Sequence, residues 1–225
     1  FHDKEAFSAL RNSLILAVSS SLIAAVLGTF GALGLHRMRN RYAKQTITTI
    51  TNIPMMNPDI VTGVSIMLLF VALAGILGSN SVFGFGTMLV AHITFNMPYV
   101  LLSVMPRFKQ LDKSLSEAAQ DLGCTPSRAF FMVELPEIIP GIVSGLMMSF
   151  TLSLDHFVIS HFVSSPDFKT LPLYIYNQTA HEVKFSMYAL CTLMIVAILA
   201  VMALTVLNLI YKEGPEPDVE IPMAN

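Results

Sequence analysis

The sequence predicts an all-α bundle of membrane-spanning helices. Hydrophobic residues make up 54% of its 225 residues and charged residues only 12%, whereas soluble domains carry about 25% charged residues. The apolar residues form uncharged runs that are long enough to cross the roughly 30 Å hydrocarbon core of a bilayer. No strand-like alternation and no internal repeat is visible in the sequence. We therefore expect one polytopic helical domain over residues 1–211, with five visible spans.

The first predicted span runs from Asn12 to Leu35 and carries small residues on one face. These are Ala24, Gly28, Gly31 and Ala32. Small residues allow the backbones of neighbouring helices to approach closely in lipid. The following segment, His36 to Lys44, is basic and contains no acid. The positive-inside rule therefore places this segment in the cytoplasm, and contact with anionic lipid is compatible with that.

The next apolar segment, Thr46 to Leu77, is too long for one straight span and is expected to break at Pro54 and Pro58. Asn57, Pro58 and Asp59 have the order of an N-cap, a first helical position and a first-turn acid. This order predicts that a helix restarts here. Transporters use helices that restart at membrane depth near the path of the substrate.

Three further spans are predicted beyond an outer loop at Gly78 to Gly86. They cover Thr87–Met105, Ile138–Leu154 and Met187–Tyr211. A long outer segment, His156 to Ser186, contains a predicted short helix, Leu171 to Thr179, with Thr170 as its cap. The tail, residues 212–225, is rich in proline and acids and is expected to be disordered.

The distribution of lysine and arginine predicts the orientation of the chain. Segments expected inside hold Arg37, Arg39, Arg41, Lys44, Arg107, Lys109, Lys113, Arg128 and Lys212. Segments expected outside hold Lys4, Arg11, Lys169 and Lys184. Because basic residues gather in cytoplasmic loops, nine against four places the first residues outside and the C-terminus inside. The chain begins at Phe1 without a methionine or a visible signal peptide, so we expect that an N-terminal segment precedes it.

The segment between the third and fourth spans, Asp112 to Pro140, is polar and has clear helix-start and helix-stop signals. Ser114 with Glu117 fits a capping box that opens a short helix through Leu122. Gly123 suits the left-handed position that follows the end of such a helix.

A second short helix is predicted directly after this glycine. Thr125 is expected to cap it, with Pro126 at the first helical position. The helix is expected to end at Leu135 and Pro136. The sequence therefore predicts a helix, a glycine turn and a helix on the cytoplasmic side.

This hairpin resembles the EAA loop of bacterial ABC-importer permeases, whose fold is called MetI-like. The matching positions are Glu117, Ala118, Ala119, Gly123, Leu135 and Pro136, with Val133 where the family usually has isoleucine. In that family the loop forms a coupling helix that docks on an ATP-hydrolysing subunit. The resemblance implies an ATPase-coupling loop at residues 112–137, which also contains Asp121. The alternative is a short amphipathic hairpin at the surface.

Several catalytic motifs are absent from the sequence. Without a GxxxxGK[ST] phosphate loop, an importer of this kind needs separate ATPase subunits, and we expect them to bind ATP and Mg²⁺. Without HExxH or GxSxG an intramembrane enzyme is disfavoured, and a channel would not need an EAA loop. The spacing of Asp155, His156 and His161 does not bring them to one helix face, so no metal site is predicted. No cofactor is expected in this chain, and the net charge of −2 does not suggest nucleic acid.

Two carboxylates, Asp59 and Asp155, are predicted at membrane depth. An unpaired carboxylate in hydrocarbon costs on the order of several kcal/mol, so it usually lines a cavity or meets a partner. The alternatives are a dipole-stabilised helix start for Asp59 and a cap or interface residue for Asp155. His92 and Asn96 lie one turn apart on the third span and are expected to form interhelical hydrogen bonds.

Four further segments resemble the PotC-type permeases of spermidine/putrescine importers. They are Met55–Val61, His92–Phe95, Ser149–Asp155 and Leu171–Tyr176. Asp59, Ser153 and Asp155 fall on these motifs and are candidates for the substrate path, together with Tyr99 and His156. PotC-type chains often carry a second aspartate where His156 stands, so a fixed negative charge is replaced by a titratable group.

The resemblance covers the chain from Asn12 to about Tyr211. It implies a multi-pass permease subunit of the bacterial inner membrane, with the EAA loop and the C-terminus in the cytoplasm and a sixth, preceding span. The implied partners are a homologous PotB-type permease subunit, two ATPase subunits and an extracytoplasmic substrate-binding protein. We predict that the complex imports polyamines. Another cationic or small organic solute, or iron, would fit the same architecture.

Overall fold

The structure is a computed structural model that describes residues 4–78, 83–166, 168–179 and 185–212. These residues are nearly all helical, and no strand is present among them, which confirms the all-α class. The helices are α1 (Lys4–Arg37), α2 (Arg41–Met56), α3 (Asp59–Leu77), α4 (Phe85–Gln110), α5 (Lys113–Asp121), α6 (Pro126–Ala129), α7 (Leu135–Asp155), α8 (Phe157–Val163), α9 (Leu171–Thr179) and α10 (Phe185–Lys212). Helices α1 to α9 belong to one compact unit, and α10 belongs to a second. The predicted disordered tail beyond Lys212 and part of the outer loop before α4 lie outside the described residues.

Five helices in the described part of the chain are long and apolar enough to cross a membrane. They are Lys4–Arg37, Asp59–Ile76, Phe85–Gln110, Pro126–Asp155 and Cys191–Asn208. This agrees with the five predicted spans. The first helix starts eight residues earlier than the predicted span, since Asn12 was its expected start and Lys4 is its first residue. Ala6 and Ala9 are buried and continue the packed face of the helix toward its N-terminus.

Helices α1, α4 and α7 pack closely around Val100. A Cβ atom built on Gly28 of α1 would lie 2.7 Å from the Val100 Cβ, and one built on Gly145 of α7 would lie 3.0 Å from the Val100 Cα. Real side chains do not tolerate such distances, so glycine is required for this approach. Further along the same interface, a Cβ atom built on Gly141 of α7 would lie 3.0 Å from the Ser103 carbonyl oxygen of α4. The predicted small-residue face of the first span is therefore a helix-packing face.

A π-helical segment, Phe130–Glu134, joins α6 to α7 without a break. The prediction that the helix ends at Leu135 and Pro136 is therefore wrong. A proline ring inside an α-helix clashes with the carbonyl four residues earlier. Here Leu135 N–H bonds to the carbonyl of Phe130, five residues back. This wider turn lets the helix continue through Pro136.

The predicted break between α2 and α3 is present, but its details differ. Pro54 lies inside α2 and does not end it. Asn57 is not an N-cap; it ends α2, and its N–H bonds to the Ile53 carbonyl at 3.2 Å. Pro58 has an extended ψ of 137° and precedes the first helical residue, Asp59, rather than occupying the first position. The restarted helix with an acid in its first turn is confirmed.

Two short helices follow α7. Helix α9 has the predicted bounds. The hydroxyl of Thr170 does not cap it, because this buried oxygen has no hydrogen-bond partner; Ser13 of α1 instead accepts from Leu171 N–H at 2.7 Å. Helix α8 was not predicted, and its Phe162 packs on Gly63 of α3, where a built Cβ would lie 2.9 Å from the ring.

Candidate functional site

The predicted coupling hairpin, residues 112–137, begins with a cap that the sequence analysis placed two residues too late. Asp112, not Ser114, is the N-cap of α5, and its carboxylate accepts a 3.0 Å hydrogen bond from Ser114 N–H. This hydrogen bond holds the pKa of Asp112 below its usual range. The proposed capping box of Ser114 with Glu117 is therefore wrong. The carboxylate at position 112 is already placed to satisfy the first backbone donors, so the helix starts at Lys113.

The turn of the hairpin is built as predicted. Gly123 has a φ of 91°, in the left-handed region. Its N–H bonds to Gln120 O at 2.9 Å, and Cys124 N–H bonds to Ala119 O at 3.1 Å. These two bonds form a Schellman motif, which satisfies the last carbonyls of α5. Thr125 then accepts from Arg128 N–H, which caps the next helix.

Most of the predicted ATPase-coupling residues lie on the open side of this hairpin. Glu117, Ala118, Asp121, Gly123 and Pro136 are exposed, and Ala119 and Leu135 are half-buried. Leu122 is 87% exposed beside them. A large apolar side chain so exposed at a turn is available to a partner surface.

Glu134, which the sequence analysis did not single out, fixes this hairpin from its buried side. Its carboxylate accepts from Ser116 Oγ of α5 at 2.8 Å and from Arg37 Nη2 of α1 at 3.3 Å. The Arg37 guanidinium also lies over the Phe130 ring, 5.8 Å from its centre. The signal in the sequence was a single acid after the apolar run from Phe130 to Val133, which predicts a buried carboxylate with a partner.

Four of the five predicted substrate-path residues converge where α3 begins and α7 ends. Asp59 and Asp155 are exposed, Tyr99 is half-buried and His156 is buried. The His156 ring lies within electrostatic reach of both carboxylates, and the Tyr99 hydroxyl lies within reach of Asp59. The start of α3, the interior of α4 and the end of α7 therefore contribute to one group, which we call the acidic cluster (Asp59, Tyr99, Asp155, His156).

Aromatic rings form one side of the acidic cluster. The His156 ring meets the Phe95 ring edge to face, with the ring centres 4.2 Å apart. Phe95 in turn contacts Tyr99, with their centres 5.6 Å apart. Carboxylates beside aromatic faces attract organic cations, because both present negative charge to an ammonium group.

Ser153, the fifth predicted residue, lies in a buried interface between helices. Its Oγ is 2.9 Å from Ser20 Oγ of α1 and 2.8 Å from His92 Nδ1 of α4. His92 Nε2 is 3.3 Å from Ser160 Oγ of α8, so the predicted interhelical bonding of His92 is confirmed. Asn96 does not follow that prediction, since both polar atoms of its buried side chain lack a partner.

The chain matches a family model described as "Binding-protein-dependent transport system inner membrane component" over residues 24–212. The Escherichia coli (strain K12) putrescine transport system permease protein PotI is 40% identical over 196 residues, covering 87% of this chain and 70% of the relative. The Haemophilus influenzae spermidine/putrescine transport system permease protein PotC is 36% identical over 205 residues, covering 91% of this chain and 77% of the relative.

Solved structures show the same fold at lower sequence identity. A bacterial ABC transporter that imports the acidic polysaccharide alginate superposes with a TM-score of 0.76 and 16% identity, covering 91% of this chain and 79% of that chain. The MetNI methionine ABC transporter superposes with a TM-score of 0.66 and 17% sequence identity, covering 90% of this chain and 95% of that chain. The matched family and the relatives PotI and PotC are transport components rather than enzymes, so this chain is a transport subunit and not an intramembrane enzyme. The family model and the two relatives, each of which matches most of this chain, place it in the MetI-like family of ABC-importer permeases, as a homologue of the polyamine permeases.

Proposed function

We propose that this chain is the permease subunit that forms part of the translocation path for polyamines, with spermidine and putrescine as the candidate substrates. The observation that carries the proposal is the acidic cluster, in which the His156 imidazole lies within electrostatic reach of Asp59 and Asp155, and Tyr99 within reach of Asp59. Its position at the α2–α3 break suits a substrate path through the membrane. The names of the relatives PotI and PotC, which refer to putrescine and spermidine, support the same substrate class.

The cluster suits a cation that carries more than one ammonium group. An ammonium beside a carboxylate at low effective dielectric gains about 4 kcal/mol at 4 Å, offset by the desolvation of both charges. Asp59 and Asp155 are exposed and can each receive one such group. His156 Nδ1 is buried and has no hydrogen-bond partner. In a neutral imidazole one ring nitrogen donates and the other accepts, so Nδ1 takes a further N–H from the substrate in the tautomer that carries the proton on Nε2.

In our proposal, other subunits supply the energy for transport. The open side of the hairpin, from Glu117 to Gly123, docks on an ATPase subunit that binds ATP and Mg²⁺. The assembled importer contains two ATPase subunits, a PotB-type permease and an extracytoplasmic substrate-binding protein. The hairpin and the C-terminus face the cytoplasm, and the acidic cluster receives the solute from the outer side.

Competition uptake tests the substrate class. Cells that express the complete importer are given labelled spermidine, with unlabelled putrescine, ornithine or iron as competitors. We expect uptake that depends on this chain and is reduced by putrescine but not by ornithine or iron. Uptake of labelled spermidine that is reduced by ornithine or iron but not by putrescine would contradict the polyamine assignment, while the chain would still be assigned as a transporter subunit.

A further inference from the structure

We propose that Glu134 is a positioning residue that fastens the coupling hairpin to the inner end of α1. Movement of the hairpin is then passed to the packed helices α1, α4 and α7. The proposal rests on the proposed coupling role of the hairpin. It adds a link on the permease side of that hairpin, opposite the surface that is available to an ATPase subunit.

The two carboxylate oxygens of Glu134 contact two different helices. Oε1 accepts from Ser116 in the first turn of α5, at 2.8 Å, and Oε2 accepts from Arg37, the last residue of α1, at 3.3 Å. One side chain therefore bridges the coupling helix and a core span. A neutral residue of the same shape would keep at most one of these charge-assisted contacts.

The Glu134 carboxylate is buried and therefore depends on the two partners that it contacts. The Glu134 side chain is only 11% exposed, whereas that of Arg37 is 49% exposed. A carboxylate so far out of water needs charged or hydrogen-bonding partners. Ser116 and Arg37 supply them, and no third partner is seen among the described residues. The end of α1 also favours a cation, because the helix dipole is negative there.

The link continues into the apolar core. The Arg37 guanidinium lies over Phe130, which is 6% exposed and packs with Leu35 and Phe108 in the core between α1 and α4. His36 stacks on the same Phe108, with ring centres 5.2 Å apart. A displacement of α5 therefore acts on the inner ends of α1 and α4 through contacts that are already made.

The π segment aims Glu134 at these partners. Glu134 is its last residue. An α-helix turns by about 100° per residue, so the extra residue held in the wide turn rotates everything that follows relative to α6. The hairpin on one side of the segment and the packed face of α7 on the other are therefore set at an angle that a continuous α-helix would not give.

The first experiment measures how firmly the hairpin is held. Spin labels are placed at Gln120 and Arg39, both exposed, after Cys124 and Cys191 have been changed to serine in the assembled importer. We expect the distance distribution between the labels to broaden in Glu134→Gln and in Arg37→Gln. It should stay narrow in Glu137→Gln, a matched exposed acid three residues away. An unchanged distribution in both of the first two variants would overturn the proposal.

The second experiment measures whether motion is passed on. A single cysteine replaces Asp155 at the far end of α7, and its labelling rate by a thiol reagent is compared with and without trapped nucleotide. We expect the nucleotide-driven change in rate to shrink about fivefold in Glu134→Gln, the lower end of usual coupling between sites. A full response in Glu134→Gln would show a static support and contradict the proposal.

Neither measurement needs a transported solute. If the wild-type importer carries no polyamine, the proposed substrate fails while the label distances and the nucleotide response still decide the role of Glu134. If polyamine uptake is present and both measurements are unaffected by Glu134→Gln, the positioning role fails alone.

Discussion

At the scale of single residues, His156 is the position where this chain departs from the PotC-type pattern. Its ring is buried against Phe95 and lies near two exposed carboxylates. A second aspartate here would place three acids within one small volume. Histidine removes one of those fixed charges while keeping a polar acceptor, so the acidic cluster can attract a cation with less repulsion among its own groups.

Removal of one carboxylate of the acidic cluster should slow transport without lowering the amount of protein in the membrane. Asp155→Asn keeps the size and hydrogen bonding of the side chain and deletes the charge. A lost attraction of about 1.4 kcal/mol corresponds to about tenfold slower uptake. Uptake, protein level and binding of the ATPase subunit are measured together for Asp155→Asn and Asp59→Asn. Normal uptake in both variants would show that these acids are structural.

The converse change restores the second acid. In His156→Asp we expect polyamine uptake to hold or rise, because the new carboxylate attracts an ammonium group. Initial rates of spermidine uptake, normalised to protein level, provide the measurement. Stably folded protein with abolished uptake would indicate that transport needs the imidazole itself.

At the scale of elements, local sequence signals predicted the turn at Gly123 and the cap at Thr125 correctly, but not the caps at Ser114, Asn57 and Thr170. Gly123 and Thr125 end and start helices through their own backbone and side-chain bonds, so the sequence is sufficient to place them. The π segment was missed because a wide turn depends on how α7 packs, and a proline usually indicates a helix end. Helix α8 was missed because its seven residues are too few to show a period. Ser153 was assigned to the path because it falls on a segment that resembles the PotC-type permeases, and a resemblance does not tell which face of α7 packs against α1 and α4.

The turn at Gly123 gives a direct test of the coupling hairpin. Valine at a φ of 91° is strained by about 1–2 kcal/mol, and its β-branch adds to the strain. We expect Gly123→Val to lower transport-linked ATP hydrolysis while leaving the membrane spans folded. Gly34→Val is the matched control, since Gly34 has no positive φ and its Cβ would meet open space. Normal assembly and normal coupled ATPase activity in Gly123→Val would refute the coupling assignment.

At the scale of the whole molecule, the prediction concerns sidedness. Spans were predictable because bilayer thickness sets a length and an apolar composition. The proximity of Asp59 and Asp155 to the same histidine could not be predicted from the sequence, because contacts between distant segments follow from packing. The basic segment at Arg37 to Lys44 and the coupling hairpin should share one side of the membrane.

Single-cysteine labelling tests the orientation. In a background without Cys124 and Cys191, cysteines replace Arg39, Gln120 and Asn80 one at a time. A membrane-impermeant reagent should label Asn80→Cys in intact cells, and the other two variants only after permeabilisation. Labelling of Gln120→Cys from outside would invert the proposed topology.

The fit of Val100 between Gly28 and Gly145 has a mechanical consequence. Neither α1 nor α7 can slide along α4 without lifting a side chain off a backbone that it already touches. A load applied to one of these helices is therefore carried by all three, which behave as a single stiff lever. The helices are interrupted beside this unit at the extended residues Asn57 and Pro58 and at His156, so we expect bending at these points. Both points lie at the acidic cluster, the candidate substrate path.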